Sequence, residues 1–306
     1  MPSPLGRHMP LDARPLRALQ TAHDIGCDAI QIFVSSPRTW APPAANATET
    51  AALVKGLQEQ GFRAVVIHAA YLINCASANP QTRTKSKHLL QWTLERGAAI
   101  GATDVVFHIG SHGGDGMVIG VERLIEAIQE IGQVLFAEDV PDPAHDAVRG
   151  MPRLLLENDV GAGNTIGSDF GAMAQVLAAV QGIWGDRIGV CIDTAHLWGA
   201  GYDIGTADAA ELTLRKMDST FGLGQIRVIH LNDTVTVLGG HRDLHARLGE
   251  GIIGADGICT LLTDPRLPQP AIILETPINQ LADSADHDWE AERQQIQYVR
   301  GIAKLE

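Results

Sequence analysis

The sequence predicts an α/β fold, a (β/α)8 TIM barrel with its active site at the C-terminal face of the strands. Three observations carry that prediction. Seven short, β-branched apolar runs recur along the 306 residues. Amphipathic stretches with helical spacing lie between them, and alternation of this kind implies a parallel sheet buried on both faces. No G-x-G-x-x-G opens the first unit, which disfavours the competing doubly wound open sheet.

The runs, in order, are Ala29–Val34, Ala64–Ile67, Asp104–Phe107, Arg153–Leu156, Ile188–Ile192, Ile226–Ile229 and Ala271–Leu274. A weaker candidate at Leu5–His8 would supply the first of eight strands. Helical spacing is clearest over residues 48–60, 84–100 and 118–136, through Leu53 and Leu57, then Leu89, Leu90 and Leu94, then Leu124, Ile128 and Ile131. Gly61, Gly101 and Gly185 follow helical patterns, where a left-handed C-terminal residue belongs. A single domain over residues 1–306 is expected, since α/β barrels often reach about 250 residues as one unit. One composition break, rich in proline and charge, marks an inserted surface loop at about 137–152.

Composition narrows the function. A 45% hydrophobic and 19% charged chain is that of a folded globular protein. No apolar run approaches the ~18 residues a membrane span needs, and Met1–Arg7 lacks the apolar core of a signal peptide, so a cytoplasmic protein is expected. Cys27, Cys75, Cys191 and Cys259 are widely spaced and read as reduced, buried apolar residues. The formal charge of −13 argues against a simple binder of phosphate backbones.

The ends of the runs carry the chemistry. His68, His108, Glu157, Asp193, His230 and Glu275 follow six consecutive strands, and in a barrel these positions converge at one face. His196 lies three residues after Asp193, and Asp243 and His245 form an Asp-x-His pair after the seventh strand. Imidazole and carboxylate without thiolate suit Zn, Mn or Fe. Nine ligands are too many for one ion, and clusters of two or three divalent ions suit phosphoryl chemistry. No G-x-S-x-G elbow is present, and Gly161-Ala162-Gly163-Asn164 lacks the Lys-Ser/Thr of a phosphate loop.

These residues sit in longer motifs: His68-Ala69-Ala70-Tyr71-Leu72-Ile73-Asn74, Phe107-His108-Ile109-Gly110-Ser111-His112, Glu157-Asn158, Cys191-Ile192-Asp193-Thr194-Ala195-His196, Ala200-Gly201-Tyr202-Asp203, His230-Leu231-Asn232-Asp233, Asp243-Leu244-His245, Leu248-Gly249-Glu250-Gly251 and Leu274-Glu275-Thr276. From Asp28 to Glu275 the chain thereby resembles the endonuclease IV family of metal-dependent apurinic/apyrimidinic endonucleases. The resemblance implies three zinc ions, with Mn or Fe possible at one site. His68, His108 and Glu157 would hold the first. Glu157 would bridge to a second held by Asp193, His230 and Glu275, and His196, Asp243 and His245 would hold the third. It also implies hydrolysis of double-stranded DNA 5′ to abasic sites, leaving a 3′-hydroxyl, in base excision repair. Glu275 and Glu157 would be the catalytic carboxylates, and Arg38, Tyr71 and Leu72 would enter the DNA at the lesion. A monomer with no membrane partner is expected.

Departures from the family pattern concern grip more than metal. The first strand reads Gly6-Arg7-His8-Met9-Pro10, without the usual small residues. Ser36 replaces an Asn, Ala162 a Gln, Val235 a Lys and Leu244 an Arg, which removes phosphate contacts. The alternative is a sugar isomerase or epimerase on the same barrel, for which Glu157, Asp193, His230 and Glu275 alone would hold one ion. A third reading is a non-catalytic protein that binds damaged DNA or uses its metals structurally.

Overall fold

The computed structural model describes residues 2–10, 15–44, 46–137, 150–281 and 286–305. Eight parallel strands close into a barrel: β1 (Leu5–His8), β2 (Ala29–Ile32), β3 (Ala64–His68), β4 (Asp104–His108), β5 (Arg153–Glu157), β6 (Ile188–Asp193), β7 (Ile226–His230) and β10 (Ala271–Leu274). Each pairs with its predecessor, and β10 returns to β1. A two-stranded antiparallel ribbon, β8 (Asp233–Thr234) and β9 (His245–Ala246), stands in the loop after β7. The expected barrel is thus observed, with Leu5–His8 as its first strand. The expected loop at about 137–152 lies mostly outside the described residues.

The helices are α1 (Pro15–Asp24), α2 (Ala47–Gln60), α3 (Pro80–Ile100), α4 (Met117–Leu135), α5 (Phe170–Trp184), α6 (Thr194–Gly199), α7 (Ala207–Thr220), α8 (Ala255–Leu262) and α9 (Trp289–Ala303). Local chemistry sets their ends. Helix α3 starts four residues earlier than its apolar periodicity suggests. Asn79 accepts the Gln81 and Thr82 N–H groups at 2.8 and 3.3 Å, and Pro80 takes the first turn, where its missing N–H costs nothing. Gly101 then closes α3 at φ 75°.

Strand alternation divides the core in two. Outward side chains such as Ile30, Ile67, Val105, Phe107, Leu156 and Ile192 pack against the helices. Inward side chains Ala29, Ala64, Val66, Val106, Leu155, Cys191, Val228, Ala271 and Ile273 fill the barrel. Two residues on from this inner layer, the same alternation turns His68, His108, Glu157, Asp193, His230 and Glu275 into the mouth.

Candidate metal centre

Within the mouth, ligand atoms of His68, His108 and Glu157 lie within 4.8 Å of one another, as do those of Glu157, Asp193, His230 and Glu275. A third group joins Asp193, His196 and His245. Asp243 stands beside that group, with Oδ2 at 3.5 Å from His196 Nε2 and Oδ1 at 3.0 Å from His245 Nε2. All nine sequence-selected residues therefore meet in one place. The third group differs from the set that the resemblance implies, because Asp193 reaches into it and Asp243, half-exposed, sits at its edge.

Short local structures hold this geometry. Asp193 caps α6, accepting the His196 N–H at 2.8 Å, which turns both side chains to the same side. Asp233 is fully buried after β7 and accepts the N–H groups of Gly249, Gly251 and Ile253. The loop carrying Asp243 and His245 is thus folded back around one carboxylate. Gly251 is required there, since a Cβ would lie 2.2 Å from Asp233 Oδ1. Gly110, at φ 95°, leaves room for Asn74, which bonds both the N–H and the carbonyl of Ser111.

Hydrogen bonds behind the ligands choose the imidazole nitrogens that face the centre. His68 Nδ1 donates to the Ala69 carbonyl at 2.7 Å, and His196 Nδ1 to the Asn158 carbonyl at 2.9 Å. Both leave Nε2 forward. His230 Nε2 donates to Gln31 Oε1 at 2.8 Å, leaving Nδ1 toward Glu157 and Glu275 at 2.8 and 3.2 Å. Fixing a ligand's tautomer in this way is a recurrent feature of metal sites.

The donor set fits divalent metal. Glu157 Oε2 is buried without a hydrogen-bond partner, and His245 Nε2 without an aligned one despite Asp243 Oδ1 at 3.0 Å, an arrangement costly unless something else satisfies them. His68 and His108 Nε2 stand 3.4 and 3.6 Å from Glu157 Oε2, and His245 Nε2 stands 3.6 Å from Asp193 Oδ2. These gaps are long for hydrogen bonds. They match the roughly 3.3–3.6 Å between two ligands of one tetrahedral ion with bonds of about 2.0–2.2 Å.

Charge is balanced within the cluster. Burial opposes ionisation of Glu157, yet His108, His230 and His68 hold its carboxyl well below the usual range. Burial likewise opposes a charged His196, while Asp193, Asp243 and Glu157 raise its pKa well above the ordinary value. For His245, Asp193 and then Asp243 outweigh burial and raise the pKa to about 9. Burial itself prevails at His108, whose pKa falls.

Sequence reasoning missed several contributors. Gln31, fully buried on β2, donates to Glu275 Oε1 at 2.6 Å while accepting from His230. Its signal was a lone amide inside an apolar run. Asn232 donates to Asp193 Oδ2 at 2.7 Å and accepts the Glu275 N–H at 3.1 Å. His8 Nδ1 lies 3.2 Å from Glu275 Oε1. Cys191, expected to be an inert apolar residue, is fully buried but its thiol shares a group with Glu157 and His230. His112, which its Gly-Ser-His motif marks as either a support behind the ligands or a loop histidine, accepts the N–H groups of Gly114 and Gly116 at Nδ1 and orders its own loop.

The surrounding rim is uneven. Tyr71 is 55% exposed, with its ring 5.4 Å from that of His68 and 5.8 Å from that of His108. Leu72 is half-buried and Arg38 exposed. Trp40 packs against the core with the Lys85 ammonium 5.8 Å above its ring. The loop after β7 instead exposes Val235, Val237, Leu238 and Leu244. A cavity of about 510 Å³ opens beside the centre, bounded by His8, Phe33, Tyr71, His245, Glu275 and His287 among others.

A family described as xylose isomerase-like TIM barrel matches residues 19–299. The chain is 38% identical over 273 residues to a probable endonuclease 4 of Halothermothrix orenii, covering 89% of this chain and 93% of that protein. It is 33% identical over 300 residues to a probable endonuclease 4 of Halorhodospira halophila, covering 98% and 94%. The crystal structure of endonuclease IV from Thermus thermophilus superposes with a TM-score of 0.79 at 31% identity, over 98% of this chain and 99% of that one. A D-psicose 3-epimerase from Clostridium cellulolyticum shares the fold at TM-score 0.70 and 14% identity, over 98% and 99%. With relatives of this identity over nearly their full length, the chain belongs to the endonuclease IV family of the xylose isomerase-like TIM barrels.

Proposed function

We propose that this protein is a zinc-dependent endonuclease. It hydrolyses the phosphodiester 5′ to abasic sites in double-stranded DNA, leaving a 3′-hydroxyl, as a step of base excision repair. The observation carrying this reading is that the mouth holds three overlapping ligand groups made of His, Asp and Glu alone, beside a fourth that includes Cys191. His68, His108, His196, Asp243 and His245 are superfluous to a single-ion enzyme. Three zinc ions are expected, with Mn or Fe tolerated at one position.

Bound divalent ions would supply Lewis acidity toward a phosphoryl group and a water that ionises near neutral pH. Glu157 would join two of the groups, with Oε2 toward His68 and His108 and Oε1 toward His230. Glu275, held at Oε1 by Gln31 and His8, keeps Oε2 toward the centre and would orient the attacking water. Tyr71 and Leu72 would fill the gap left by the missing base. Arg38 would contact the DNA from the loop after β2.

The test is a duplex carrying one abasic analogue, incubated with metal-replete protein. The expected product is a 5′ incision whose 3′-hydroxyl a polymerase can extend, at about three metal ions per chain. Binding without incision would sink the reading. The quartet Glu157, Asp193, His230 and Glu275 keeps one alternative, a single-metal sugar isomerase or epimerase. About one ion per chain with turnover of a ketose would favour it.

A further inference from the structure

The opposite end of the barrel holds a second charged cavity, of about 220 Å³, at the starts of the strands. Its polar wall comprises Arg63, Thr103, Asp104, Arg153, Arg227 and Gln269. Two of the three guanidinium groups are neutralised. Arg63 pairs with Asp28 at 2.9 Å, and Arg153 grips Asp104 through two bonds of 2.6 and 2.9 Å. Arg227 differs: among the described residues it makes no ion pair, and its Nε is buried without a hydrogen-bond partner.

The backbone aims this arginine. Val190 pairs with Ile226 and Cys191 with Val228, so Arg227 is the extra residue of a β-bulge, a device that redirects a side chain. Gly189 gives it room, since a Cβ there would lie 3.1 Å from Arg227 Cγ. Gln269, between Pro268 and Pro270, adopts φ 56° on the same wall. A left-handed conformation is strained for a residue with a Cβ, and such strain concentrates at binding sites.

We propose that this cavity binds a small oxyanion of the phosphate class on the Arg227 guanidinium, flanked by the paired Arg153 and Arg63. A guanidinium presents a planar fork of donors that matches phosphate oxygens, and the nearby carboxylates are engaged elsewhere: Asp28 pairs with Arg63, and Asp104 with Arg153, which Asp186 also attracts. Apolar walls from Pro4, Ala64, Pro268 and Ala271 limit competing water and strengthen the attraction. Packed Val66, Val106, Leu155, Val228 and Ile273 separate this site from the mouth, so it is independent of the proposed nuclease activity.

Titration calorimetry with inorganic phosphate on the metal-loaded protein tests this. Wild type should show a binding component that weakens at least about tenfold in Arg227→Met, the loss expected for charge-assisted hydrogen bonds. Binding at the mouth should persist in both, and incision of abasic DNA should be unchanged. Selenate soaked into wild-type crystals should give an anomalous peak beside Arg227, which keeps the test open even if the variant folds poorly. An isotherm unaltered by Arg227→Met, or a cavity without selenate, would overturn the proposal.

Discussion

Gln31 touches two of the candidate ligands at once, donating to Glu275 and accepting from His230. Replacing it with Leu would free His230 to adopt the wrong tautomer and leave Glu275 unanchored. Such outer partners typically contribute about 10- to 100-fold in metal affinity or activity, and metal content per chain should fall accordingly. Glu275→Gln should slow incision by at least about 100-fold, the range of positioned acid–base groups, in single-turnover assays on abasic duplex. Acidity follows from the same contacts. His245 in the metal-free fold has a pKa near 9 against an ordinary 6.5. Its contribution to metal-free stability is therefore complete below about 6.5 and is lost as pH rises through about 9. Metal must displace that proton, so loading at pH 7 should release protons, and affinity should rise between pH 6 and 9. Calorimetry in buffers of different ionisation enthalpy checks this, and an enthalpy independent of buffer would contradict it.

At the level of elements, the barrel strands were legible because β-branched runs and their terminal His, Asp and Glu residues follow strict alternation. Ala64, Val66 and His68 face inward together, as do Val106 and His108, or Cys191 and Asp193. The ribbon after β7 was not legible. Its two-residue strands carry no periodicity, and it is folded by Asp233, whose side chain binds backbone 16 to 20 residues ahead. Asp233→Ala should leave the barrel intact but release Asp243 and His245. One metal per chain should be lost, along with about 1.5–3 kcal/mol of stability per charged hydrogen bond removed, before relaxation. Denaturant unfolding and metal analysis on one preparation would register both effects.

Across the whole molecule, charge and buried ions set the outcome. The formal charge is −13. Three divalent ions would offset six of those charges at the mouth, making a face that is acidic on paper attractive to phosphate. With Val235 and Leu244 exposed and uncharged, DNA binding should be metal-dependent and have a shallow salt slope, measurable by anisotropy between 50 and 200 mM salt. Metal removal should also lower the melting temperature, by the binding free energy forgone. On the other side of β1, Arg7 and Arg247 both pair with Glu292, which is fully buried on α9. This ties the last helix to the first strand and accounts for the unusual Arg7. Burial and then Arg247 lower the Arg7 pKa to about 10. Glu292→Ala would leave buried Arg7 without its carboxylate and Arg247 with only the exposed Glu250, a loss of about 3–5 kcal/mol readable in thermal unfolding.

The sequence by itself determined the barrel and its direction, and six of the nine clustered residues at strand ends, because these depend on order along single strands; His196, Asp243 and His245 were legible through their motifs. Only the tertiary structure decided how those residues divide. It drew Asp193 into the third group, set Asp243 at its edge, and brought Gln31, Asn232, His8 and Cys191 against the ligands. It also left Arg227 at the far end without an ion pair among the described residues, its Nε buried and unbonded. These relations join strands distant in sequence, and closure of the barrel fixes them through a register that no local pattern records.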